Sequence, residues 1–166
     1  MAVKLSRDKI LDNWSSLVHN GAGNQERVYS MTEQALTDSK IPNISWKRDQ
    51  VSTALFGGTR DFLIIDNRTL SEYKMFLCAR DFGSHLDCAW YLTCKPGLFK
   101  KTISKYTAGN PNALSMNLDV FSQQDLNAWA SCVHQAFLRS TKELMEELKQ
   151  DITGMNTRSK GYLSVW

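Results

Sequence analysis

The stretch that decides the fold is YKMFLCARDF-GS-HLDCAWYLTC, residues 73–94. Two runs rich in aromatic and apolar residues flank the pair Gly83 and Ser84, an arrangement typical of a β-hairpin. Glycine at the first position of a two-residue loop favours a type II′ turn. The stretch therefore predicts two antiparallel strands whose register is set by the turn.

The predicted register gives the hairpin two different faces, because successive side chains of a strand point to opposite sides. One face, called the mixed face below, carries the pairs Phe82 and His85, Arg80 and Asp87, Cys78 and Ala89, Phe76 and Tyr91, and Lys74 and Thr93. The other, the core face, carries Tyr73, Met75, Leu77, Ala79, Asp81, Leu86, Cys88, Trp90, Leu92 and Cys94. The core face is almost wholly apolar, and we expect helices to cover it.

Upstream of the hairpin, the sequence indicates two helices followed by further strands. Apolar residues recur at helical spacing over residues 10–18, and a second helix is predicted from about Asn24 until Pro42 forces an extended chain. These form a helical hairpin over residues 1–42. Short apolar runs then predict strands near 51–56, 61–66, 72–82, 85–94 and 113–120, with 44–48 as a doubtful extra one.

Downstream, the sequence predicts the longest helix over residues 122–152. Ser122 and Asp125 have the spacing of a capping box, and Trp129, Val133 and Phe137 share one helical face. The tail over residues 153–166 is apolar at its end and is expected to dock. The fold class is therefore α+β, a two-layer sandwich with an N-terminal helix pair and an antiparallel sheet of about five strands over 44–120, on which the long helix packs.

Composition indicates one soluble domain spanning residues 1–166. Hydrophobic residues make up 42% of the chain and charged residues 22%, which excludes disorder and fibrous repeats. The N-terminus lacks the apolar run of a signal peptide, and no stretch has the length of a membrane span. We therefore expect a cytoplasmic protein that does not contact membranes and keeps its four cysteines as thiols.

The sequence offers little support for catalysis or for a cofactor. No metal-binding spacing and no phosphate-binding loop occurs, so neither a metal nor another cofactor is expected. Cys78, His85 and Asp87 share the mixed face and suggest a small hydrolase or transferase as one alternative. Cys78 and His85 are however on the order of 13 Å apart along the strands, too far for a hydrogen bond. An enzyme is therefore less favoured than a binding protein.

A second alternative is nucleic-acid binding through basic residues near the C-terminal half of the chain. The candidates are Lys100, Lys101 and Lys105, together with Arg158 and Lys160 in the tail. Phosphate contacts need several cations on one surface. The net charge of only +3 does not favour this interpretation.

The leading hypothesis is a non-catalytic binding or accessory protein that uses the mixed face. A solvated strand face normally carries fewer aromatic residues than this one, so cover by the tail, by the segment over residues 96–112 or by a partner is expected. The predicted binding residues are Phe76, Arg80, Phe82, His85, Asp87 and Tyr91. The partner is a protein or a small ligand of unknown identity, and self-association is a further alternative.

Overall fold

The computed structural model describes residues 3–5, 10–53, 58–95 and 118–165, and within them the chain forms one sheet and two α-helices. The strands are β1 (Val3–Leu5), β2 (Ile10–Val18), β3 (Ile44–Thr53), β4 (Thr59–Asn67), β5 (Tyr73–Phe82) and β6 (His85–Cys94). The helices are α1 (Gln25–Asp38) and α2 (Val120–Glu147). The strand order is β1-β3-β4-β5-β6-β2. Strands β2 to β6 pair antiparallel, and β1 adds a short parallel edge beside β3, so the class is α+β.

The register predicted for the hairpin of β5 and β6 is confirmed. Phe82 lies opposite His85, Arg80 opposite Asp87, and every further predicted pair is present. Gly83 has a φ of 61°, the left-handed value that the first position of a type II′ turn requires and that glycine adopts without strain. The turn chemistry thus fixes which side chains lie on each face.

Both helices lie on the core face of the sheet, as that apolar face predicts. Leu77, Trp90 and Leu92 are fully buried in one cluster with Val133 and Phe137 of α2. Helix α1 contributes Val28, Tyr29 and Leu36 to the same cluster. The long C-terminal helix therefore packs on the sheet through the face that its periodicity indicates.

The prediction of an N-terminal helix pair is wrong, because residues 10–18 form strand β2. This strand pairs with β6 and places Trp14 opposite Trp90. The side chains of β2 that face the core include the polar Asp12, so the sequence does not show the regular alternation of a strand. The apolar residues of β2 also fit a helical period. Pairing with β6, which places Trp14 and Val18 in the core cluster, decides between the two periods. Only the second predicted helix is present, as α1.

The strand boundaries differ from those predicted at two places. The extra strand predicted at 44–48 and residues 51–53 of the strand predicted at 51–56 belong to one strand, β3, which pairs with β4 from Ile44 to Ser52. Residues 54–56 lie outside the described residues. The predicted strand over 113–120 falls largely outside the described residues, and its last residue, Val120, is already helical. The polar residues between the two halves of β3 lie on a continuous hydrogen-bonded ladder, which sequence alternation alone did not reveal.

The residues that cap the two ends of helix α2 differ from those predicted. Asp119 is the N-cap residue, and its carboxylate accepts hydrogen bonds from the backbone N–H and the hydroxyl of Ser122. The predicted cap residue is therefore inside the first turn. At the other end, Lys149 adopts a φ of 57° and Gln150 N donates to Met145 O, which is a Schellman motif. The helix stops there and does not extend to residue 152.

The C-terminal tail runs along the outer edge of β2. Tyr162 N donates to Leu11 O, and Lys160 N donates to Asn13 O at 2.6 Å. The buried carboxylate of Asp12 accepts from Leu163 N and Ser164 N at 2.9 and 3.0 Å. These bonds occupy backbone groups that an edge strand would otherwise expose.

His134 of α2 links the helix, the sheet and the tail. Trp90 Nε1, which can only donate, bonds to His134 Nδ1 at 2.9 Å. His134 is therefore neutral with its proton on Nε2, which donates to Thr157 O at 2.8 Å. Burial lowers the pKa of His134, and Lys142 adds to this, while the bond to Thr157 and the charge of Asp12 act in the opposite direction.

We expect Phe137→Ala to destabilise the protein by roughly 3–5 kcal/mol, because it removes a fully buried ring from the core. Phe121→Ala is the matched control, since Phe121 lies on the same helix and is 78% exposed. Urea unfolding of both variants measures the difference. A loss below about 1 kcal/mol for Phe137→Ala would contradict the assigned helix face.

We also expect stability to fall as the pH drops below 6.5, the ordinary pKa of histidine. Because the folded-state pKa of His134 is lowered, the unfolded chain binds a proton first, so stability is full above pH 6.5 and is lost toward the lower folded value. Urea unfolding between pH 5 and 8 measures this slope. His134→Gln should flatten it, and an unchanged slope in that variant would assign the pH dependence to other groups.

Candidate functional site

The six predicted site residues lie on one side of the sheet, but the structure separates them into three places. Arg80, Asp87 and Tyr91 line a cavity of about 220 Å³ on the mixed face. Phe76 lies in a buried cluster and is only 3% exposed. Phe82 and His85 lie beside the turn and are not part of the cavity lining.

The floor of the cavity is the cross-strand pair of Cys78 and Ala89. Both side chains are small and buried, and they lie opposite each other on β5 and β6. The next pair toward one end, Phe76 and Tyr91, is bulky, and the next toward the other end is the ion pair of Arg80 with Asp87. A small pair between larger neighbours leaves a depression in the sheet surface.

Neighbouring strands complete the walls with mostly apolar side chains. Phe62 of β4 makes an edge-on contact with the ring of Phe76, with centroids 6.2 Å apart, and a tilted contact with the ring of Tyr91 at 6.5 Å. The further lining residues are Leu5, Ile10, Val51, Gly58 and Arg60. Most of these positions are on paired strands, so the backbone hydrogen-bond ladder holds the cavity walls in place.

The charged groups of the cavity are gathered at its Arg80 end. Arg80 Nη2 lies 3.1 Å from Asp87 Oδ2, with both side chains about one third exposed. The Arg80 guanidinium also lies 5.3 Å from the ring centre of Phe82, which is 59% exposed. Arg60 is the second cation of the lining, and within the described residues it forms no ion pair with a carboxylate.

The remaining polar groups of the cavity are uncharged at neutral pH. Burial raises the pKa of the Cys78 thiol to about 11, against the smaller opposing effects of Arg60 and Arg80. Burial also raises the pKa of Tyr91. The cavity therefore presents a thiol and a phenol as neutral groups beside its arginines.

The arrangement does not assemble the nucleophilic site considered for Cys78, His85 and Asp87. A nucleophilic cysteine needs a lowered thiol pKa, whereas that of Cys78 is raised. His85 Nδ1 accepts a hydrogen bond from Asn20 N at 3.2 Å, and its ring meets that of His19 edge-on. His85 is thus tied to the end of β2 and lies outside the cavity.

The basic residues of the nucleic-acid alternative are only partly within the described structure. Lys100, Lys101 and Lys105 lie outside the described residues. Lys160 is exposed beside β2, and its carbonyl accepts from Asn13 Nδ2, while Arg158 N bonds to Asn156 Oδ1. The two tail residues by themselves do not make an extended cationic surface.

A second, larger depression adjoins the cavity. This groove, of about 750 Å³, lies between α1 and the strand ends, and Arg60 and Arg80 line it as well as the cavity. Its other charged residues include Glu26, Asp49, Asp61 and Asp81 beside Arg48. Within the described residues, no group of three metal-binding side chains is close enough to hold an ion.

Sequence analysis missed the part of the cavity that comes from outside the hairpin. Residues 62–65 read Phe-Leu-Ile-Ile, an unbroken apolar run that indicates a strand buried on both faces. That signal was present and predicts an apolar partner for the mixed face at Phe62 and Ile64. Leu5 and Ile10 could not be found, because their strands reach the cavity only through the pairing of β1 and β2 at the two sheet edges.

Comparison of the chain with protein families, with curated proteins and with solved structures finds no significant match. Neither α1 nor α2 has an apolar stretch of the length that crossing a membrane requires.

We expect one thiol to react quickly in the native protein and four after unfolding. Cys132 is exposed, whereas Cys78, Cys88 and Cys94 are free but buried, with pKa values raised to between about 11 and 12 by burial. Titration with Ellman's reagent at pH 8 measures the count. Cys132→Ser should remove the fast phase, and fast reaction of a second thiol would contradict the burial of these three cysteines.

Proposed function

We propose that this protein is a non-catalytic binding protein that takes up a small, largely apolar molecule in the cavity of the mixed face. The observation that carries the proposal is the cavity itself, which has apolar walls and a few polar groups gathered at one end. That combination is typical of small-molecule sites, in which apolar contacts supply affinity and polar groups fix orientation.

The size of the cavity limits the ligand. An apolar cavity of roughly 150 Å³ binds benzene in another protein. The cavity here, of about 220 Å³, therefore has room for one ring with a short substituent. Drug-sized ligands occupy cavities of roughly 300 Å³ and above, so a larger molecule would have to extend into the adjoining groove.

The walls of the cavity favour a ligand whose apolar part is aromatic or branched aliphatic. Phe62 and Tyr91 present ring surface at one side, and Val51 and Leu5 present aliphatic surface at another. Aromatic pairs gain roughly 0.5–1.5 kcal/mol beyond the burial of their area. The raised thiol pKa of Cys78 supports binding over catalysis, because a protonated thiol contributes packing and no nucleophile.

Filling the cavity should abolish binding. Ala89→Phe places a ring over the cavity floor, while Ala128→Phe is a matched control on the exposed side of α2. We expect a fragment library to give ligand-induced amide shifts at Phe62, Cys78 and Tyr91 in ¹H–¹⁵N spectra of the wild type and the control. Ala89→Phe should lose these shifts while it keeps a dispersed spectrum.

The same spectra also test whether the mixed face binds a small ligand or a second copy of the chain. If fragments cause no shifts at the cavity, the small-ligand proposal is wrong. Sedimentation velocity of the wild type, Arg80→Ala and Tyr91→Ala then tests self-association, since arginine and tyrosine are the residue types that carry most binding energy at interfaces. A concentration-dependent dimer lost in both variants would assign the face to a second copy.

A further inference from the structure

We infer that the ligand of the cavity is a small monocarboxylate, whose carboxylate binds Arg60 while its aromatic or aliphatic body enters the apolar interior. This inference rests on the proposed function, because it names the chemical class of the molecule that the same cavity takes up.

The charged groups that line the cavity carry an excess of positive charge. Two guanidinium groups, Arg60 and Arg80, face one carboxylate, Asp87. Asp87 is already paired with Arg80 at 3.1 Å, and Arg60 has no carboxylate at ion-pair distance within the described part of the chain. The other polar groups, the Cys78 thiol and the Tyr91 phenol, carry no charge at neutral pH. The cavity therefore favours an anion over a cation.

The position of the two arginines also favours an acid. Arg60 and Arg80 line both the cavity and the adjoining groove, so these two residues lie where the two spaces meet. A bound acid can then keep its carboxylate at this junction while its body contacts Phe62 and Ala89 inside. The planar guanidinium matches a carboxylate with two parallel hydrogen bonds, which fixes the orientation of the ligand.

The carboxylates of the groove limit the charge of the ligand. Asp49, Asp61 and Asp81 line the groove together with the two arginines. A phosphate dianion or a polyanion extending into the groove would meet these carboxylates at unfavourable range. One arginine without a carboxylate partner in the described residues suits a single negative charge, and this distinguishes a monocarboxylate from a nucleotide or a phosphorylated metabolite.

The test uses three probes that share one ring and differ in charge: benzoate, benzamide and benzylamine, titrated at pH 7 and followed by amide shifts. We expect benzoate to bind the wild type roughly threefold to fivefold more tightly than benzamide, because Arg60 is exposed and an exposed ion pair adds only modest affinity. Benzylamine should bind most weakly. Added salt should reduce the preference for benzoate, because screening weakens exposed ion pairs.

The variant that tests the assignment is Arg60→Gln, with Arg68→Gln as a matched control at an exposed arginine outside the cavity. Arg60→Gln should remove the preference for benzoate and leave benzamide affinity within about twofold of the wild type. Arg68→Gln should bind all three probes like the wild type. Dispersed spectra of both variants establish that they are folded.

The outcomes separate this inference from the proposed function. Equal binding of benzoate and benzamide to the wild type would overturn the carboxylate assignment while leaving a small-ligand cavity in place. A benzoate preference that survives in Arg60→Gln would likewise overturn it. Binding of none of the three probes, or binding that persists unchanged in Ala89→Phe, would overturn both.

Discussion

Cross-strand pairing in the hairpin of β5 and β6 is the constraint on which the rest of the molecule depends. Because side chains alternate along a strand, a slip of one residue would exchange the two faces completely. Trp90 would leave the core and Asp87 would enter it. The left-handed φ of Gly83 holds the turn to two residues and so holds the register. Both the helix-covered core and the cavity are consequences of this one arrangement.

The core face is linked to the tail through a short chain of polar contacts. Trp90 donates to His134, and His134 in turn bonds to Thr157 at the start of the tail segment. Trp14 Nε1 donates at 2.7 Å to the carbonyl oxygen of Asn156, the residue before Thr157. The buried Asp12 holds the tail end at Leu163 and Ser164. Trp14, His134 and Asp12 are buried, so loss of their partners in the tail would leave buried polar groups unsatisfied.

The glycine at residue 161 shows how closely the tail approaches β2. A Cβ at that position would lie 2.5 Å from Leu11 O and 2.6 Å from Asp12 Cα, closer than real contacts allow. The tail can therefore lie against the edge of β2 only with glycine there. Strand β2 is paired with β6 on one side and contacted by the tail on the other, which leaves little of its edge open to another chain.

The hairpin, its register, α1 and the packing face of α2 could be predicted from the sequence, because turn chemistry and periodicity depend on residues that are close together in the chain. The same reasoning failed for residues 10–18, where Ile10, Trp14 and Val18 fit a helical period and only pairing with β6 selects the strand. The cavity residues that belong to the hairpin could also be predicted, because register alone places Arg80, Asp87 and Tyr91 on the mixed face. The apolar run over residues 62–65 indicates burial of Phe62, but only the pairing of β4 with β5 brings Arg60 and Phe62 to these residues.

The cavity itself follows from side-chain volume at a single cross-strand pair. Cys78 and Ala89 are the two small residues of the mixed face at its centre, and the paired backbones on either side prevent the strands from closing over them. If such a space of about 220 Å³ were enclosed and dry, it would cost roughly 5 kcal/mol at about 24 cal/mol per Å³. Its contact with the groove at Arg60 and Arg80 admits solvent and reduces that cost. Water against Phe62 and Tyr91 would form few hydrogen bonds, so its replacement by the apolar part of the proposed ligand would be favourable.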